Sequence, residues 1–138
     1  MSEETATPDL VELVRSFLDT ANQRDFAALM SYFAEDAVWG TRIIGVFEGR
    51  AAIRSFIEAW FGTYQDYEQS LEEVHELANG VTVSVVVAHG KHGESGSVIE
   101  QRIVGVGTWR DGLIKSMTTY GDIVEGRAAA ERLAEERG

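Results

Sequence analysis

Residues 25–56, DFAALMSYFAEDAVWGTRIIGVFEGRAAIRSF, constrain the fold more than any other stretch of this chain. Asp25 can cap a helix whose apolar stripe is Phe26, Leu29, Met30 and Phe33, and the pattern carries that helix to its end in Phe33-Ala34-Glu35-Asp36. Residues 37–41, with Trp39 at the centre, read as a short strand. A loop closed by Gly49-Arg50 follows. Ile53, Phe56, Ile57, Trp60 and Phe61 then mark the apolar side of another helix, and Gly62 suits its end.

Upstream, residues 1–6 read as a disordered lead, and Thr7-Pro8 as an N-cap with proline at the first helical position. Leu10, Leu13, Val14, Phe17, Leu18 and Ala21 form one amphipathic stripe. After Gly62 the period changes to that of strands. Asn79-Gly80 is a hairpin signal between residues 68–77 and 81–88, and residues 89–96, HGKHGESG, are a glycine-rich turn leading to a strand near 97–109. Asp111-Gly112 marks a further tight turn before a strand at residues 113–120. Helices followed by a run of antiparallel strands define an α+β class. The tail GRAAAERLAEERG has high helix propensity and a thin apolar stripe, so it is expected to fray or to cross to a second subunit.

Composition narrows the function classes. The 138 residues make one domain with room for a core. The absence of cysteine excludes disulfides and thiolate chemistry. A net charge of −11 without a clustered Lys/Arg stripe argues against nucleic acid and anionic membrane surfaces. The acidic N-terminus lacks the features of a signal peptide, and no apolar run approaches a bilayer span, so a cytoplasmic protein is expected. His89, His92 and Glu94 form H-x-x-H-x-E, a ligand set for zinc in principle, but a glycine-rich turn gives it little support. No metal and no cofactor are expected.

The motifs FAEDAVW, GRAAIRSF and WRDGLIKSMTTY, in this order, resemble the nuclear transport factor two-like superfamily and its SnoaL-like group. The resemblance spans residues 10–122 and implies a cone: N-terminal helices packed on a curved, mainly antiparallel sheet, with one deep pocket for a small apolar molecule. Relatives include ketosteroid isomerase, limonene epoxide hydrolase and polyketide cyclases. Laid against ketosteroid isomerase, the general-base aspartate falls opposite Thr41, the phenol opposite Phe17, supporting tyrosines opposite Phe33 and Ile57, and the second aspartate opposite Gly105. The Arg/Asp pair of the epoxide hydrolase falls near Val86 and Ala88, and the last-strand aspartate of the hydrolase and the cyclases near Thr119. A threonine hydroxyl cannot replace a carboxylate in proton transfer near neutral pH.

The mapping implies a ligand site lined by Phe17, Phe33, Trp39, Phe56, Ile103 and Met117, with Thr41, Ser84, Gln101 and Thr119 as its polar tips. Glu100 and Arg102 alternate with Gln101 and Ile103, so they, with Tyr120 and Asp122, should lie on the opposite face. A slip of one residue would turn all four inward. Residues 81–87 are apolar in both registers, and Val98, Val104 and Val106 share the outer face; a homodimer across that face is the expected cover. Three functions stay open: an enzyme of the cyclase, isomerase or epoxide hydrolase kind with non-standard residues, a carrier for a hydrophobic metabolite, and a dimeric interaction module.

Overall fold

The structure is a computed structural model that describes residues 9–41 and 44–137. The disordered lead and the Thr7-Pro8 start read from the sequence lie outside these residues. Helix α1 (Leu10–Asn22) is capped by Asp9, whose carboxylate accepts from the Glu12 amide, and α2 (Phe26–Met30) is capped by Asp25. Strand β1 (Phe33–Thr41) and strand β2 (Gly45–Glu48) form a hairpin, and α3 (Arg50–Gly62) follows. Strands β3 (Tyr64–Glu76), β4 (Val81–His92), β5 (Val98–Arg110) and β6 (Leu113–Tyr120) lead to the C-terminal helix α4 (Ile123–Arg137). The six strands make one open sheet in the order β2-β1-β6-β5-β4-β3, with β1 and β6 the parallel pair. No helix among the described residues is long and apolar enough to cross a membrane.

The second helix is shorter than its stripe suggested. It stops at Met30 because the chain is captured by the sheet: the Ile114 amide donates to the Tyr32 carbonyl and Phe33 pairs with Ile114. Tertiary pairing overrides a local helical pattern here. The GR motif locks the junction. Gly49, at φ +87°, donates its amide to Ala37, and the Arg50 guanidinium donates twice to the Phe33 carbonyl, at 3.0 and 2.7 Å. Strand β2 replaces part of the expected loop.

Both turn signals take left-handed backbone, Asn79 and Gly80 at φ 63° and 75°, Asp111 and Gly112 at 54° and 79°. Register shifts in β3, one beside Asp66, bend the sheet around the helices. The concave face carries the main core, in which Leu29, Phe33, Ile53 and Ile114 are fully buried.

The convex face corrects the expected homodimer contact. Val81, Val83, Val85, Val104 and Val106 are buried there by α4 of the same chain, through Gly126, Ala130 and Ala134. The thin stripe noted in the tail is a small-residue stripe, and it lets the helix lie close on the valines. Val98, in the same register toward the other end of β5, is left uncovered at 75% exposure. The charged part of this face is also paired within the chain: Arg102 grips Glu72 with two bonds of 2.8 Å, and Arg127 bonds Glu73.

Candidate functional site

Alternation along β5 and β6 decides which side chains face the helices. Ile103 and Gly105 of β5, with Met117 and Thr119 of β6, point to the concave side, whereas Glu100 and Arg102 line a groove on the convex side with His89 and Glu72. Tyr120 packs against the α4 cluster and also borders the larger cavity at the mouth of the cone, and the Asp122 carboxylate accepts from the Val124 and Glu125 amides at the start of α4. The one-residue slip that would have brought four polar groups inward is absent.

Two adjoining chambers result. The inner one is small, about 50 Å³, and is lined by residues that include Phe17, Trp39, Gln69, Ser84, Ile103, Gly105, Trp109, Met117 and Thr119. The outer one, at the mouth, holds about 520 Å³ and is lined by Thr41, Phe56, Trp60, Thr63, Tyr64, Gln101, Ile103, Thr119 and their neighbours. Trp60, Ile103 and Thr119 belong to both and form the junction. Of the ten residues selected from the sequence, Phe33 alone lines neither chamber; it is fully buried behind them, its ring 5.7 Å from Phe17 and 6.1 Å from Trp39. Most of the inner cone is therefore filled by aromatic packing, and the room for a ligand lies toward the mouth.

Among the described residues, no Asp, Glu, His, Lys or Arg lines either chamber. Thr41 sits at the mouth, where its hydroxyl oxygen accepts from the amides of Ile44 and Gly45 at 2.8 and 3.1 Å. That oxygen closes the β1–β2 turn, which leaves Thr41 its hydroxyl proton to offer a ligand. Ser84 makes a long bond of 3.4 Å to the Gly105 carbonyl.

Sequence reasoning missed Gln69, Trp60, Tyr64 and Trp109. Gln69 is buried in a strand that reads as polar, and its side-chain amide donates to the Tyr67 hydroxyl at 3.0 Å. The alternation of Tyr67, Gln69 and Leu71 was the available signal. Burial pushes the Tyr67 phenol up to about 12, against the opposing pull of hydrogen bonds from Gln69 and Trp60. A raised folded value means that the unfolded chain ionises first, so stability conferred by the neutral phenol holds below pH ~10 and is lost between ~10 and ~12. Tyr67→Phe should flatten that alkaline limb in denaturant titrations at pH 9 to 11.5, and an unchanged limb would assign it elsewhere.

The two motif histidines part company. Strand β4 runs on to His92, so His89 lies in a strand and not in a turn, on the convex face 3.4 Å from Glu100, whereas the His92 ring meets Tyr64. Three residues apart on a strand, they face opposite sides. No group of three metal-ligating side chains occurs among the described residues. His75 is exposed and bonds Glu73.

A concave cavity between N-terminal helices and a curved sheet defines a cone-shaped α+β domain of the nuclear transport factor two-like kind. The pattern of the SnoaL-like domain family matches residues 14–117, and the chain belongs to that family. Similar solved structures include a protein of Catenulispora acidiphila with a ketosteroid isomerase-like fold, in complex with trimethylamine, at 17% identity, 91% and 95% coverage of the two chains and a TM-score of 0.74. TerC co-crystallised with polyporic acid shares 19% identity, with 88% and 97% coverage and a TM-score of 0.71. SalBIII, an epoxide hydrolase/cyclase-like enzyme of pyran ring formation in salinomycin, shares 19% identity, with 82% and 90% coverage and a TM-score of 0.72. At these identities the likeness concerns the fold. No curated protein sequence matches the chain.

Proposed function

We propose that this protein binds a small, uncharged, mainly apolar ring molecule, seated in the mouth chamber and reaching toward the inner one. The observation that supports this most is the lining itself: Phe56, Trp60, Tyr64 and Ile103 around about 520 Å³, with neutral polar tips and no acid or base among the described residues. An apolar ligand loses little by entering such a site, whereas a charged one would be desolvated without a partner. The same lining favours a carrier or binding role over acid–base catalysis of the isomerase or cyclase type, since the resemblance implies Thr41, Gly105 and Thr119 at the positions of those enzymes' carboxylates. A cytoplasmic setting fits a carrier of this kind.

Burying roughly 200 Å² of ring surface at ~25 cal/mol per Å² gives about 5 kcal/mol, a dissociation constant on the order of 200 μM. Titration with tetralin, followed by tryptophan fluorescence, should therefore show a hyperbolic change with its midpoint in the high micromolar range. Ile103→Trp fills the junction of the two chambers and should remove the signal while the protein still melts cooperatively. Tetralin binding that ignores this substitution would place the ligand elsewhere.

A further inference from the structure

Three tryptophans border the two chambers, and their indole N–H groups differ. Trp109 donates to the Thr82 hydroxyl at 2.9 Å, and the Trp60 ring packs against Tyr67 with centroids 6.1 Å apart. Trp39 is 5% exposed, lines the inner chamber, and its Nε1–H has no hydrogen-bond partner among the described residues. A buried donor left unmet costs about 1–3 kcal/mol, and native folds rarely keep one without a use. The loss is avoidable here, since the stacked Phe47–Phe56 pair and Phe33 around Trp39 would accommodate another aromatic ring.

Position gives the donor a use. Trp39 and Thr41 lie two residues apart on the concave face of β1, paired with Met117 and Thr119 of β6, so they are about 7 Å apart along the strand. Thr41 and Thr119 line the mouth, and Trp39 lies one step further in. The inner chamber, at about 50 Å³, takes a single oxygen-bearing group and not a ring. The N–H is walled off in this conformer, and Met117, its unbranched neighbour across the sheet, is the side chain able to yield.

We infer that the Trp39 indole N–H is the donor that reads an acceptor oxygen at the inner end of the ligand, while the ring stays in the mouth. This role rests on the ring-binding reading above and adds orientation to it: a ligand with an oxygen at one end enters that end first. Thr41, whose oxygen is committed to two backbone amides, meets the outer end as a donor.

The test compares 1-tetralone with tetralin, the same bicyclic skeleton with and without a ketone, on wild type and Trp39→Phe. The ratio of the two dissociation constants should change by about fivefold or more between the proteins, the worth of one hydrogen bond of ~1 kcal/mol, with solubility differences cancelling in the cycle. An equal ratio in both proteins overturns the assignment and leaves ring binding standing. Failure of wild type to bind either compound overturns ring binding and this role together. Should Trp39→Phe not fold, ¹⁵N-labelled wild type decides. The unpartnered indole proton should move downfield with 1-tetralone well beyond its response to tetralin, and equal responses to the two compounds overturn the assignment.

Discussion

Shortening the chain to end at Gly121 is expected to produce a self-associating protein. The five valines beneath α4, at 81, 83, 85, 104 and 106, are each 5% exposed or less. Removing the helix would wet them as one apolar patch on a sheet face. Gly126 offers a graded version. A Cβ at that position would lie 2.5 Å from Val104 Cγ1 and 3.0 Å from its Cβ, and Val104 is fully buried. Gly126→Val must push the helix off the sheet or displace β5, at a cost of about 3 kcal/mol, on the order of a 10 °C fall in Tm. Light scattering on a sizing column reads the truncation and a thermal melt reads the substitution. A truncated chain that keeps the full-length chain's assembly state and an unchanged melt would mean that α4 does not cover the valines in solution.

Thr119→Asp should cost stability in a pH-dependent way. Thr119 borders both chambers. A carboxylate there has no cationic partner among the described lining residues, so desolvation would raise its folded pKa above the unfolded ~3.9. Below both values the group is neutral folded and unfolded, and the electrostatic penalty vanishes. Between the two values only the unfolded chain ionises, and the penalty grows by about 1.4 kcal/mol for each pH unit. Above the folded value it levels off. Melts at pH 4.5 and pH 8 should thus differ far more for Thr119→Asp than for wild type. Thr41→Asp should be milder, because a carboxylate can accept the Ile44 and Gly45 amides that the hydroxyl now holds. Equal pH behaviour of Thr119→Asp and wild type would place residue 119 in contact with water.

Some of this architecture is written locally in the chain and some is not. Residues 113–120 follow an Asp-Gly turn signal, and β6 occupies those residues. That Ile103 and Arg102 face opposite sides follows from a period of two, and packing against the helices decides which of them is inside. The boundary between α2 and β1 was hidden because Phe33 continues the helical stripe and also pairs with Ile114, and only the fold decides between them. Strand β2 has four residues at a sheet edge, with Val46 exposed, and carries too little pattern to announce itself. The cover of the valine face was unreadable for a different reason: alanines and Gly126 give α4 a weak apolar signal, yet small residues are what allow the close approach. The division of the cavity depends on how Trp109, Met117 and Gln69 fill the cone, which no one-dimensional pattern encodes.

Calorimetric titration of tetralin from pH 5 to pH 9 addresses the neutral lining most directly. With no Asp, Glu, His, Lys or Arg among the described residues around either chamber, the dissociation constant should stay constant across that range. A sigmoidal dependence, with affinity changing tenfold around one pKa, would reveal an ionisable group at the ligand and contradict the neutral binding site.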